Sequence, residues 1–241
     1  MTLSIPSPDV QIKQTQVDAQ ASQMRQTHPD QEHSITTSLT AKRILDILIC
    51  LVLIPVLVPV IAAIALAILL DSSGPFLFKQ KRIGQHGRPF TIYKFRTMYH
   101  KFDDRHHREY MKQYIGGQAE QAGDSFKPPI ENQITRVGNI LRRTSLDELP
   151  QLINVFRGEM SIVGPRPNVE WEVQEYEAWH RKRLIAKPGI TGLAQVSGRS
   201  AITFDELVKY DIEYVENQSL ALDIKIMIQT VTEVLKRNGA G

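Results

Sequence analysis

The sequence predicts an α+β protein in which an N-terminal re-entrant membrane helix hairpin leads into a small, mainly helical domain with short strands and interfacial amphipathic helices. Three observations predict it. Residues 47–70 form an apolar run of 24 residues without a charge, interrupted by Pro55 and Pro59. A cationic, aromatic stretch punctuated by glycine and proline follows. Further along, apolar residues recur with helical spacing between Gly/Pro loops. At 241 residues the chain is long enough to bury a sizeable core. The reading divides it into a disordered leader (1–40), the hairpin (41–73) and the remaining domain (74–241).

The leader contains seven glutamines and no periodic apolar face. It lacks the basic start and apolar core of a signal peptide. The single cysteine, Cys50, excludes an internal disulfide framework and lies inside the apolar run, where packing is its expected role.

About 20 uncharged apolar residues suffice to cross the hydrocarbon core as a helix. Two features favour a hairpin over a simple span. Internal prolines remove backbone hydrogen bonds and bend a helix. The flanks are also basic on both sides, Lys42 and Arg43 before, Lys79, Lys81 and Arg82 after, so both prefer the cytoplasm. A bend at Pro59 makes two arms of about 17 Å at 1.5 Å per residue, enough to enter one leaflet and return.

The following stretch, "GPFLFKQKRIGQHGRPFTIYKFRTM", reads as short strands close to the membrane. Its basic residues, Lys94 and Arg96 among them, suit anionic headgroups and phosphate groups. Residues 101–132 read as a polar helical piece followed by a Gly/Pro loop. His106 and His107 are adjacent, do not share a helix face, and so do not form a metal pair.

The segment "RRTSLDELPQLINVFRGEMSIVGPRP" sets two adjacent carboxylates, Asp147 and Glu148, between arginines and a Gly-Pro-Arg-Pro turn. Asp147 suits an N-cap, with Pro150 in the first turn where its missing N–H costs nothing. Ser145 and Glu148 also have capping-box spacing, but that start would put Pro150 one turn inside the helix. Capping accounts for one acid and leaves Glu148, Arg142, Arg143 and Arg166 as surface charges.

Downstream, "NVEWEVQEYEAWHRKRLIA" reads as a helix carrying Trp171, Tyr176 and Trp179, lying along the membrane surface or packed in the core. In "KPGITGLAQVSGRSAITF", glycines let backbone N–H groups approach a phosphate or ring. Apolar residues at Ile224, Met227, Ile228, Val231 and Leu235 predict a docked amphipathic C-terminal helix.

Four blocks in this order, "KRILDI", "KQKRIGQHGRPFTIYKFRTM", "RRTSLDELPQLINVFRGEMSIVGPRP" and "KPGITGLAQVSGR", closely resemble the bacterial sugar transferase family, the monotopic polyprenyl-phosphate phosphoglycosyl transferases. The likeness covers residues 42–237. It implies a Mg²⁺-dependent enzyme of the bacterial inner membrane, its catalytic domain facing the cytoplasm. Such an enzyme moves a sugar 1-phosphate from a UDP-sugar to undecaprenyl phosphate and releases UMP, as a first membrane step of polysaccharide or glycan assembly.

Carried onto this sequence, the resemblance makes Asp147 the nucleophile and Glu148 its companion acid, both candidate Mg²⁺ ligands. Arg142 and Arg166, with Lys94 and Arg96, become phosphate-binding cations. Gly189, Thr191, Gly192, Gln195 and Arg199 form the nucleotide-sugar loop, and Pro59, with Pro55, the membrane break. Many relatives carry Ser-Pro at the break where this chain has Val58-Pro59, and Leu193 stands where some have an aromatic residue. Two rival functions remain. A membrane-anchored glycosyltransferase would release UDP. A non-catalytic adaptor binding lipid headgroups or nucleic acid would need no paired acids amid its arginines. The expected partners are therefore UDP-sugar, undecaprenyl phosphate and membrane lipids, with no nucleic acid; a homo-oligomer is compatible with these features.

Overall fold

The computed structural model describes residues 29–99, 105–119, 133–198 and 201–235. A long helix α1 (Pro29–Asp71) precedes a hairpin of β1 (Leu77–Ile83) and β2 (Pro89–Phe95), then α2 (Arg105–Ile115) and α3 (Arg136–Thr144). A 3₁₀ turn (Leu146–Gln151) leads into α4 (Leu152–Arg157), β3 (Ser161–Val163) and α5 (Glu170–Gln174). A second 3₁₀ turn (His180–Ile185), β4 (Gly189–Thr191), α6 (Leu193–Ser197), α7 (Phe204–Glu216) and α8 (Leu220–Leu235) complete the described chain. The β1–β2 pair is antiparallel, in register from Leu77 opposite Phe95 to Ile83 opposite Pro89. The β3–β4 pair is parallel, with Ser161 opposite Gly189 and Val163 opposite Thr191.

The α1 helix runs through both Pro55 and Pro59. The two arms expected around Pro59 are consecutive parts of one helix. It begins at Pro29, within the stretch read as leader; residues 1–28 lie outside the described residues. From Lys42 to Ile68 one face of α1 is docked. Cys50, Ile54 and Leu57 join the core around Ile92, Leu152, Val155 and Met160. Ile61, Ile64 and Ile68 join a second cluster with Phe95 and Leu141. Spacings of three and four keep these six on one side of a 3.6-residue helix. The other side, including Leu51, Val52, Val56, Leu66 and Leu70, is bare. Among the described residues α1 is the one helix long and apolar enough to cross a membrane.

Both flanks of the apolar run are tied to the same domain. Arg43 donates to the carbonyls of Val155 (2.6 Å) and Phe156 (2.9 Å) at the end of α4. Asp46 accepts from Ser161 Oγ and the Ile162 amide, both at 3.0 Å. At the far end, Asp71 accepts from the Val137 amide at 3.0 Å.

Two expectations are corrected. The stretch read as one helix around Trp171 to Trp179 stops after Gln174. There the Glu177 amide donates to His180 Nδ1 (3.1 Å) and the Trp179 indole to Glu177 Oε2 (2.9 Å), local bonds that compete with the helical ladder. Of the two locations left open, Tyr176 takes the core one, packed with Ile83, Tyr114 and Phe204. On α8 Asp223 and Ile226 are buried, with Leu222 and Met227 packed beside Ile226, whereas Ile224, Ile228 and Val231 are 47%, 63% and 60% exposed. Of the predicted stripe Met227 lies on the docked side and Ile224, Ile228 and Val231 do not, because α8 is apolar on two faces.

Candidate active site

The acids are presented by a reversal of the chain. Helix α3 ends at Ser145, whose left-handed backbone (φ 56°, ψ 16°) turns the chain straight into the 3₁₀ turn. Asp147 and Glu148 therefore sit inside that turn, with Pro150. This corrects the reading of Asp147 as an N-cap, since the left-handed residue leaves no extended cap position before it. Pro150, Gln151 and Leu152 are buried and fix the turn from below.

The two carboxylates have different surroundings. Glu148 Oε1 accepts from Lys94 Nζ at 2.7 Å and from Arg166 Nη1 at 3.0 Å. Burial alone would raise the Glu148 carboxyl, but Lys94 and then Arg166 outweigh it and hold it down at about 2. Asp147 makes no hydrogen bond or ion pair with any described residue. Burial raises its carboxyl above the ordinary range; Lys94 opposes the rise and Glu148 adds to it. Adjacent acids are thus split into one anchored anion and one free group.

Lys94 reaches Glu148 because Asn154, fully buried, braces β2. Its Nδ2 donates to the Thr91 carbonyl at 2.7 Å, and its Oδ1 accepts from the Tyr93 amide at 3.2 Å. Arg166 is held through its own backbone turn. Lys42 Nζ (2.9 Å) and Tyr214 Oη (3.1 Å) donate to the Val163 carbonyl, and Lys42 also pairs with buried Asp223 at 2.7 Å. The Gly164 amide donates to Thr191 O at 2.8 Å and the Gly189 amide to Pro165 O at 2.9 Å. Buried Arg183, paired with Asp211 and with Tyr176 Oη, donates to the Arg166 carbonyl at 3.2 Å. Arg82 Nη1 donates to Pro167 O at 3.2 Å.

A pocket of ≈ 850 Å³ opens on this turn. Its wall includes Asp147, Glu148, Arg142 and Arg166 on the charged side, and Ile49, Leu53, Met227 and Val231 from α1 and α8. Arg142, in the last turn of α3, has no side-chain hydrogen bond or ion pair with a described residue. Burial lowers its guanidinium, and Asp147 opposes this.

The structure thus brings together Asp147, Glu148, Arg142, Arg166 and Lys94, although Lys94 supports Glu148 without lining the pocket. Arg96 does not join them, which corrects its assignment as a phosphate ligand. It is buried and donates to the carbonyls of Ser73 (2.8 Å) and Ser72 (2.7 Å), closing the C-terminal end of α1. Of the nucleotide-sugar loop, Thr191 and Gln195 line the pocket. The Thr191 hydroxyl is shared with Thr230 at 2.7 Å, and Gln195 Nε2 donates to Ile190 O at 3.0 Å. Gly189 and Gly192 are explained by backbone crowding: a Cβ would lie 2.1 Å from Gly164 N and 2.3 Å from Gly164 O, respectively. Arg199 lies outside the described residues. Sequence reasoning missed Arg82, Arg183 and Asp211 as pocket residues. The two arginines sit in basic stretches whose charges look alike; Arg82 was grouped with exposed Lys79 and Lys81, though strand alternation turns it to the opposite face.

Two adjacent carboxylates suit Mg²⁺, which binds through one or two protein carboxylates together with substrate phosphates. Asp147 is free and Glu148 has an oxygen beyond the one its cations use, so the residues fit such an ion. Among the described residues no cluster of three or more His, Cys, Asp or Glu offers a protein-only cage.

The family model described as bacterial sugar transferase matches residues 37–237. "Galactosyl transferase CpsE" of Streptococcus agalactiae is 44% identical over 168 residues, 69% of this chain and 36% of that protein. "Undecaprenyl-phosphate galactose phosphotransferase" of Salmonella typhimurium is 44% identical over 171 residues, 69% of this chain and 35% of that protein. The chain thus spans about a third of these two relatives. "UDP-glucose:undecaprenyl-phosphate glucose-1-phosphate transferase" of Caulobacter vibrioides is 41% identical over 207 residues, 83% of this chain and 71% of that protein.

Proposed function

Because the chain belongs to the bacterial sugar transferase family, we propose that it moves a sugar 1-phosphate from a UDP-sugar to undecaprenyl phosphate, releasing UMP, through a covalent intermediate on Asp147. The observation that supports Asp147 most is its freedom: it is the one acid of the pair that the surrounding cations leave unbonded.

Direct attack of one phosphate on another suffers charge repulsion, and a carboxylate nucleophile divides the task into two displacements. An Asp147 oxygen bonds to the sugar-bearing phosphorus as its bond to the bridging oxygen breaks, and UMP leaves. A phosphate oxygen of the lipid then attacks the same phosphorus, and the Asp147–phosphorus bond breaks to restore the carboxylate. Arg142 and Arg166 neutralise phosphate oxygens, and Glu148 keeps Arg166 and Lys94 in place. Mg²⁺, held by Asp147 and Glu148, would supply further charge neutralisation of phosphate oxygens.

The apolar wall given by α1 and α8 suits an isoprenyl chain entering from the bilayer. In this reading α1 enters the inner membrane from the cytoplasm and bends back near Pro59, supported by the attachment of both its flanks to one domain. The bare stripe Ile224, Ile228 and Val231 then lies against lipid.

The test is to incubate the purified protein with undecaprenyl phosphate, Mg²⁺ and a panel of UDP-sugars while separating nucleotide products. UMP released with one or more sugars is expected; UDP as the product would identify a glycosyltransferase and contradict the proposal.

A further inference from the structure

Strand β1 alternates Lys79 and Lys81 on its bare side with Gln80 and Arg82 on the other. Arg82 is a different kind of residue from its neighbours. It is largely removed from solvent, lines the pocket, and meets no carboxylate in an ion pair among the described residues. Its guanidinium has five N–H donors. Two neutral acceptors meet it, Pro167 O at 3.2 Å and Gln80 Oε1 at 2.7 Å, and the buried Nε has no partner. The nearby acid Glu172 is engaged through one oxygen, Oε2, which accepts from Asn168 Nδ2 at 2.6 Å and the Val169 amide at 3.2 Å, and it forms no ion pair with Arg82. Taking a cation out of water costs several kcal/mol unless an anion answers it. At ion-pair distance Arg166 has Glu148 and Arg183 has Asp211, whereas the two groups that bond Arg82 are both neutral.

We propose that Arg82 is a further anion-binding residue of the pocket, receiving a second phosphate group beside the one that meets Arg142 and Asp147. The inference rests on the phosphate-transfer reading of this site. That reaction passes three phosphates through the site, two from the nucleotide sugar and then one from the lipid, with two of them present at each displacement, so the cations at the acids do not exhaust the charge to be met. Arg82 is tied through Pro167 O to the turn that carries Arg166, which places both guanidiniums on one frame.

The test is direct binding to the full chain in nanodiscs, with no turnover required. Two pairs of probes separate the sources of phosphate: UDP against uridine, and undecaprenyl phosphate against undecaprenol. Arg82→Gln keeps an N–H donor for Pro167 but removes the charge. It is expected to weaken UDP, undecaprenyl phosphate or both by about 10-fold or more, the scale of a charge-assisted hydrogen bond, and to leave uridine and undecaprenol within about twofold. Whichever anion weakens identifies the phosphate that Arg82 holds. Unchanged affinity for both anions, or an equal loss for the uncharged probes, overturns the proposal by reducing Arg82 to a tether. If the Gln variant does not fold, Arg82→Lys replaces it, keeping charge and tether but losing the fork. A loss of about threefold or more for an anion is then expected, and no loss overturns. Wild-type protein that binds neither anion overturns it as well. Arg82-dependent anion binding without UMP release from any UDP-sugar would sustain this inference while refuting the transfer reaction.

Discussion

Asp147 and Glu148 are chemically similar neighbours, and their difference is made by what reaches them. Lys94 and Arg166 both converge on Glu148, which fixes its charge, whereas Asp147 is left to burial. A raised carboxyl is protonated more readily in the folded protein, so a nucleophile at Asp147 should lose activity as pH falls through a value above that of an ordinary aspartate. Glu148 stays ionised there, since its charge is lost only near pH 2. Its contribution to stability has the opposite sense, present above the unfolded glutamate value and lost as pH falls toward 2. The UMP-release profile of the wild type should therefore show an acid limb above the ordinary aspartate range. Glu148→Gln should move that limb to lower pH, because it removes a neighbouring negative charge and releases two cations toward Asp147, while cutting turnover about 10²-fold or more. A limb that does not move would return Glu148 to the role of a surface charge. At this scale the sequence was legible where residue type alone decides: the acid pair, Arg142 and Arg166 stand together as read. It was not legible where direction decides, since Arg82 and Arg96 lie in the same basic stretch and only the fold sends one into the pocket and the other to the end of α1.

Among the elements, the Arg96 latch is the clearest departure from expectation. Its guanidinium serves the Ser72 and Ser73 carbonyls and the Ser72 hydroxyl (2.9 Å), just past the helix end, and approaches the Ile68 carbonyl in the last turn at 3.4 Å. Arg96→Gln should destabilise the protein by about 3 kcal/mol, from charge-assisted bonds worth about 1.5–3 kcal/mol each and not fully additive. That corresponds to a fall of about 10 °C in melting temperature at this chain length. The KM for UDP-sugar should stay within about twofold. An unchanged melting temperature with a raised KM would restore Arg96 as a phosphate ligand. Hydrophobic periodicity located α1 and α8 well, but it cannot choose a side when both faces are apolar, as on α8. It also overlooked the 3₁₀ turn bearing the acids, whose course depends on Ser145 taking a left-handed conformation that serine rarely adopts.

For the whole molecule, the reading depends on how α1 meets the bilayer. With the bend near Pro59, cysteines placed singly at Thr40 and Ser73 in a Cys50→Ala background should both resist an impermeant thiol reagent outside intact cells, and both should react once the inner membrane is opened. Replacing Pro55 and Pro59 by leucine should restore the missing backbone hydrogen bonds and stiffen α1, whose 24 apolar residues extend about 36 Å, long enough for the ~30 Å hydrocarbon core. The basic flanks then compete with spanning, and a mixed topology with partial loss of activity is expected. Labelling of Thr40→Cys from outside in the proline-containing protein would show a span. The charge symmetry and the prolines were visible in the sequence; the attachment of both flanks to one domain, through Arg43, Asp46 and Asp71, was not, because those contacts join residues far apart in the chain.

If Asp147 carries the phospho-sugar, the intact mass of the protein will report it after exposure to a UDP-sugar and Mg²⁺ without lipid acceptor. The wild type should gain the mass of one sugar phosphate, release a matching amount of UMP, and lose the added mass when undecaprenyl phosphate is supplied. Asp147→Asn should stay folded and membrane-bound, because that carboxylate bonds to no described residue, and should gain nothing. An adduct on Asp147→Asn, or wild-type turnover through UMP release with no adduct at any time, would contradict the account.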